Sequence, residues 1–107
     1  MKEQLSKKLL HENVEFVLFT TRTCPYCSQT KALLHRDSFS WKEFNVAKER
    51  ILYSMVVAIT GHKTVPAIYD TRTEEAVFIG GNDDLVELLK SESSPPSKGF
   101  FSFFKRK

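Results

Sequence analysis

The sequence predicts an α/β domain in which a strand–helix–strand unit is followed by a helix, a β-hairpin and a closing helix. Three observations carry that prediction. Four stretches place apolar residues at helical spacing, and short β-rich runs lie between them. The only two cysteines, Cys24 and Cys27, fall where the first β-rich run gives way to helix formers. A charged turn, Asp70 to Glu75, separates two further apolar runs.

Taken in order, residues 2–12 carry Leu5 and Leu9 four apart and predict a short amphipathic helix. Residues 14–20 follow as a strand that is apolar on both faces (Val14, Phe16, Leu18 and Val17, Phe19), which suits a central position covered from both sides. The next helix has Pro25 at its first position, where a fixed φ fits and a missing N–H costs nothing. It runs to about Arg36 with Leu33 and Leu34 inward. Residues 39–45, with Trp41 and Phe44, read as a second strand, parallel to the first through a right-handed crossover.

A helix over 48–59 shows Ile51, Leu52, Met55, Val56 and Ile59 on one apolar face, and Gly61 is placed to close it in the left-handed conformation. Thr64-Val65-Pro66 leads into Ala67-Ile68-Tyr69, and Ala76 to Ile79 returns as the hairpin partner. Gly80-Gly81-Asn82-Asp83-Asp84 then opens a last helix, with Asn82 as N-cap and Leu85, Leu88 and Leu89 inward.

At 107 residues the chain is one domain, with an ordinary soluble composition of 41% hydrophobic and 27% charged residues. Residues 1–90 carry 12 cationic and 12 acidic side chains, so the net +3 lies in the tail. A neutral body argues against general nucleic-acid binding. No apolar run reaches membrane-spanning length and Met1-Lys2-Glu3-Gln4 shows no signal-peptide pattern, so the expected compartment is the reducing cytoplasm. A lone CxxC there points to catalysis rather than to a structural crosslink.

The chemistry follows from the placement of Cys24-Pro25-Tyr26-Cys27. A thiol at a helix N-terminus faces unpaired N–H groups and the positive end of the dipole, which favours its thiolate. Arg22 adds positive charge nearby. Cys27, one turn inside the helix, is within disulfide reach of Cys24. An activated thiol with a second thiol behind it can attack a disulfide and then break the mixed product. A structural disulfide closing so small a ring would remove little unfolded-state entropy. A metal site would need four ligands, and only His11, His35 and His62 accompany the two cysteines, at no finger-like spacing.

The element order α-β-α-β-α-β-β-α with CxxC after the first strand matches a thioredoxin-like layout. Cys24-Pro25-Tyr26-Cys27, Thr64-Val65-Pro66 and Gly80-Gly81-Asn82-Asp83-Asp84-Leu85, in this order and spacing, closely resemble a dithiol glutaredoxin over roughly residues 13–90. The resemblance implies a four-stranded mixed sheet in order 4-3-1-2, with strand 3 antiparallel and helices on both faces. It implies a glutathione-dependent thiol–disulfide oxidoreductase with Cys24 as nucleophile and Cys27 as resolving thiol, acting on glutathionylated or disulfide-containing proteins as a monomer. Glutathione is then co-substrate, with no bound cofactor and no metal.

The same resemblance implies a cis Pro66 that turns Val65 toward Cys24, so that Val65 pairs with the cysteinyl part of glutathione in strand fashion. The N–H groups of Asn82 and Asp83 would take the γ-glutamyl carboxylate, and the Asp83 side chain its ammonium. Lys63, beside Thr64, would take the glycyl carboxylate, and Tyr26 would shape the groove. The family's basic residue three before the first cysteine is Thr21 here, and Arg22 sits one residue closer. Two alternatives accompany this reading: a redoxin recharged by a thioredoxin reductase, and a module holding an iron–sulfur cluster between subunits.

Residues 91–107 stand apart from the pattern. Ser91 to Ser97 reads as a flexible polar linker with two prolines. Gly99 to Lys107 combines four phenylalanines with three cations, a composition suited to weak contact with an anionic membrane surface or a partner's groove.

Overall fold

The structure, a computed structural model, describes residues 2–93. Eight elements follow the expected order: α1 (Lys2–Leu10), β1 (Phe16–Thr20), α2 (Pro25–Arg36), β2 (Trp41–Asn45), α3 (Arg50–Thr60), β3 (Ala67–Asp70), β4 (Val77–Gly80) and α4 (Asn82–Ser93). The sheet runs β2-β1-β3-β4, the predicted order read from the other edge. β1 and β2 are parallel, with Phe16 opposite Trp41 and Thr20 opposite Asn45. β3 is antiparallel to both neighbours.

β1 is buried along its whole length, as a strand covered on both faces requires. Its alternation divides the core. Val17 and Phe19 pack with Leu5, Leu9, Leu52 and Val56 under α1 and α3. Phe16 and Leu18 point the other way, to Leu34, Ile68, Leu85 and Leu89 under α2 and α4. Each such side chain contributes about 1.5–3 kcal/mol by leaving water. The sheet is therefore clamped at its centre, and the C-terminal end of β1 is held rigidly where Cys24 follows.

Several boundaries differ from expectation for visible reasons. Val14 is only partly buried and precedes β1, because Asn13 turns the chain through a positive φ of 59°. Phe39 lies outside β2; its N–H is taken by the Leu34 carbonyl in the turn closing α2. α3 begins at Arg50 rather than Lys48, since the Asn45 side chain accepts from the N–H groups of Ala47 and Lys48 and holds them in a turn. Ile51, expected on the apolar face, is 83% exposed, whereas Leu52 and Val56 are buried. Gly61 closes α3 as expected, at φ 75°, with its N–H donating to Val57.

Asn82 is not the N-cap of α4 but its first helical residue. Gly81 takes the cap position, its carbonyl accepting from Leu85 N–H and its N–H donating to Asp84 Oδ2 at 2.9 Å. Asp84 thus supplies the reciprocal half of a capping box. The Asn82 side chain instead reaches across to α2, 2.8 Å from Thr30 Oγ1.

Residues 91–93 belong to α4 rather than to the expected linker. Glu92 is held there by Arg72, whose guanidinium donates to Glu92 at 2.7 and 3.0 Å and to Asp70 at 2.8 and 2.9 Å. The same guanidinium lies over the rings of Phe16 and Phe39, 4.9 and 5.5 Å from their centroids. The remainder of the linker and the Phe/Lys-rich tail lie outside the described residues. Among the described residues, no helix is long and apolar enough to cross a membrane.

Candidate active site

The site forms where β1 hands over to α2. Cys24 is the N-cap of α2, in extended conformation (φ −102°, ψ 110°), and Pro25 occupies the first turn. The Cys24 sulfur accepts the Cys27 N–H at 3.1 Å, so one of the helix's orphan donors is aimed at the thiol. That contact strengthens when the sulfur carries negative charge. The thiol also faces the Val65 carbonyl at 3.7 Å, across a Val65–Pro66 bond that is cis. Both cysteines are free thiols.

The two sulfurs are not equivalent. Cys24 is partly exposed, whereas Cys27 is 2% exposed. Burial pushes the Cys27 thiol up to about 12, and the hydrogen bond and charge of Cys24, with the carboxylate of Glu43, add to it; a backbone hydrogen bond at Thr21 works the other way. Cys27 is thus a protonated thiol at neutral pH, and Cys24 is the more accessible of the two.

Two depressions lie near this junction, one walled by Cys24 itself and a smaller one by Val65, whose carbonyl the thiol faces. The smaller, about 180 Å³, is walled by Tyr26, His62, Thr64, Val65, Asn82 and Asp83. Pro66 lies buried beneath it, and Tyr26 stands 58% exposed at its rim. The amides of Asn82 and Asp83 belong to the first turn of α4 and have no intrahelical partner. Thr30, buried in α2, stands 3.0 Å from the Tyr26 carbonyl and 2.8 Å from Asn82 Oδ1, so its single hydroxyl joins the two helices behind the groove. His62 Nε2 is 3.2 Å from Thr64 Oγ1, and its ring meets Phe78 edge-on at 5.3 Å.

The larger depression, about 530 Å³, lies on the Cys27 side and is walled by both cysteines, Arg22, Lys42, Glu43 and Lys48, among others. Glu43 on β2 accepts from Thr20 at 2.6 Å and from Lys31 at 3.0 Å. Burial alone would raise the Glu43 carboxyl, but the Thr20 and Lys31 hydrogen bonds and the Lys31 charge more than offset it and hold it below the ordinary range.

A sequence model of the glutaredoxins matches residues 16–72, the segment running from β1 through the cis Pro66 and into the hairpin. The chain belongs to the glutaredoxin family. It is 37% identical over 76 residues to glutaredoxin 3 of Escherichia coli K12, spanning 71% of this chain and 84% of that protein. Among solved structures, the dithiolic glutaredoxin 2-C-Grx1 of Trypanosoma brucei brucei is similar at 32% identity, 75% of this chain and 81% of that one, with a TM-score of 0.63. The holo form of glutaredoxin C1 from Populus tremula x tremuloides is similar at 28% identity, 85% and 86% coverage, with a TM-score of 0.65. As a glutaredoxin the chain is a thiol–disulfide oxidoreductase with a thioredoxin-like fold.

Of the glutaredoxin-like positions singled out from sequence, Tyr26, Thr64, Val65, Pro66, Asn82 and Asp83 come together beside the smaller groove. Arg22 does not join them; it stands on the wall of the larger depression with the cysteines. Lys63 is exposed in the loop and lines neither. The sequence did not single out Thr30 or Glu43, and it raised His62 only as a metal-ligand candidate rather than as a wall of the groove. His62 carries a weak signal, two residues before Thr64. Thr30 and Glu43 carry none, because their neighbours are 52 and 23 residues away in sequence.

Proposed function

We propose that this glutaredoxin reduces glutathione mixed disulfides and protein disulfides with glutathione as the electron donor. Cys24 thiolate attacks the glutathione sulfur of a protein–glutathione disulfide. The protein leaves as thiolate and a Cys24–glutathione disulfide forms. A second glutathione thiolate attacks that glutathione sulfur, releasing oxidised glutathione and restoring Cys24. The net change is protein–glutathione disulfide plus one glutathione giving protein thiol plus oxidised glutathione. On the second route Cys27 loses its proton and attacks Cys24, expelling glutathione and closing the Cys24–Cys27 disulfide, which two further glutathiones reopen. For a protein disulfide, Cys24 forms the mixed disulfide with one protein sulfur, Cys27 expels it, and two glutathiones reduce the resulting Cys24–Cys27 disulfide.

The observation that carries this reading is the asymmetry of the pair: an accessible Cys24 with an N–H aimed at its sulfur, backed by a buried, protonated Cys27. The groove beside Val65 supports glutathione as the small partner. Val65 offers backbone groups to an extended cysteinyl segment, free amides of α4 suit a carboxylate, and the Asp83 side chain suits an ammonium. Arg22, on the opposite wall, and Lys63, outside both, are left as flanking charges for the glycyl carboxylate.

The test is reduction of a small glutathione mixed disulfide coupled to glutathione reductase, on wild type, Cys27→Ser and Cys24→Ser. Turnover that survives Cys27→Ser and vanishes in Cys24→Ser is expected. Turnover only with a thioredoxin reductase would remove glutathione from the reading and leave the dithiol chemistry alone.

A further inference from the structure

We propose that the depression on the Cys27 side of Cys24 docks the protein half of the substrate, and that it selects an acidic segment around the target cysteine. The proposal rests on the reading above, in which glutathione takes the Val65 side. When a protein–glutathione disulfide meets Cys24, the sulfurs must come within bonding distance, about 2.05 Å for a formed disulfide. Extended chain rises about 3.3 Å per residue, so two or three residues flanking the target cysteine must pass over whichever wall glutathione leaves free. That wall bounds about 530 Å³, against about 180 Å³ on the Val65 side.

Its charges have a distinct balance. Arg22, Lys31, Lys42 and Lys48 face Glu43 and Glu49. Lys31 and Glu43 satisfy each other. Arg22 and Lys48 are exposed and, among the described residues, neither has a carboxylate partner; Lys42 is exposed with its ammonium 5.6 Å from the centroid of the Phe44 ring. With Arg22 left to the glycyl carboxylate of glutathione, Lys42 and Lys48 against Glu49 remain open to a partner. Residues 1–90 as a whole are neutral, so this excess is local to the rim of the reacting thiol.

An apolar contact extends the surface. Lys48 and Glu49 also wall a shallow neighbouring depression that contains Ile51, the most exposed large hydrophobic side chain among the described residues. Ile51 departs from the otherwise buried face of α3 and gains nothing from the core. A target with acidic residues beside its cysteine and an apolar residue a few positions further on matches both features.

The test uses the full-length protein and two synthetic peptides carrying an S-glutathionyl cysteine. One flanks it with glutamates and a leucine, the other with lysines and a leucine. Single-turnover release of peptide thiol from each gives a second-order rate constant. The acidic peptide is expected to react about tenfold faster at low salt, with the ratio shrinking as salt screens the rim. Lys42→Glu combined with Lys48→Glu should reverse the preference while leaving the small cysteine–glutathione disulfide within about twofold of wild type. Ile51→Ser should slow the acidic peptide about threefold and leave the small disulfide unchanged.

Equal rate constants for the two peptides, or a charge reversal that slows the small disulfide just as much, would overturn the docking proposal. Failure of the glutathione reading looks different. There, glutathione and glutathione reductase sustain no turnover while the charge preference in single turnover persists.

Discussion

The rate at which Cys27 captures a glutathionylated Cys24 should climb steeply with pH, and the structure sets how steeply. Burial holds the Cys27 thiol near 12, so only roughly one molecule in 10⁵ carries its thiolate at about pH 7. Below that value each pH unit multiplies the thiolate fraction about tenfold. Once Cys24 is tied up in a disulfide its charge no longer acts on Cys27, but burial, the largest cause, remains. The internal closure should therefore accelerate about a hundredfold between about pH 7 and about pH 9 without levelling. The assay loads Cys24 from oxidised glutathione, jumps the pH, quenches with acid and follows loss of the adduct by mass spectrometry. Cys27→Ser, which cannot close, supplies the baseline. An ordinary external thiol attacking the same adduct should instead begin to level near its own value of about 8.5. A closure rate that flattens before about pH 9 would refute the buried-reserve argument, because Cys27 would then already be largely ionised.

Two further outcomes test the frame that holds the site. Arg72→Met keeps the stem over Phe16 and Phe39 but strands Asp70, so a loss of about 2 kcal/mol is expected, read as a fall of roughly 10 °C in Tm; a shift under about 2 °C would show the clamp to be idle. In Gly80→Ala, φ of 124° is strained for any L side chain, and the new Cβ would run into the Asp84 carboxylate that caps Gly81. The expected loss is about 2–4 kcal/mol by denaturant titration, from backbone strain together with the displaced cap. Combining it with Asp84→Ala should cost less than the two losses added, since both remove the same hydrogen bond; strict additivity would contradict the clash.

Much of this was legible in the chain itself. The unbroken apolar run Phe16-Val17-Leu18-Phe19, rich in β-formers, suited a strand buried on both faces. Pro25 followed by helix formers marked a helix start. Gly61 marked a left-handed helix end, which the chain adopts at φ 75°. These are local properties: period, fixed φ and tolerance of positive φ act within a few residues, so spacing alone reports them. Three separated motifs then sufficed to indicate the family.

Other features depend on partners that are distant in sequence. Asn82 has every property of an N-cap, yet Thr30 holds its side chain across the α2–α4 contact and Asp84 caps Gly81 instead. Ile51 sits at an apolar position of a regular helical pattern but faces water, because α3 starts later and packs through Leu52 and Val56. Ser91 to Ser93 look like linker until Arg72 reaches Glu92 from 20 residues away. The inequality of the two thiols is of the same kind. Residue types and spacing put Cys24 and Cys27 in reach of each other, but the value near 12 for Cys27 comes from burial and from Cys24 and Glu43 around it. Periodicity and capping are written into neighbouring residues; desolvation and the pairing of distant side chains exist only once the sheet and its two helical layers have closed.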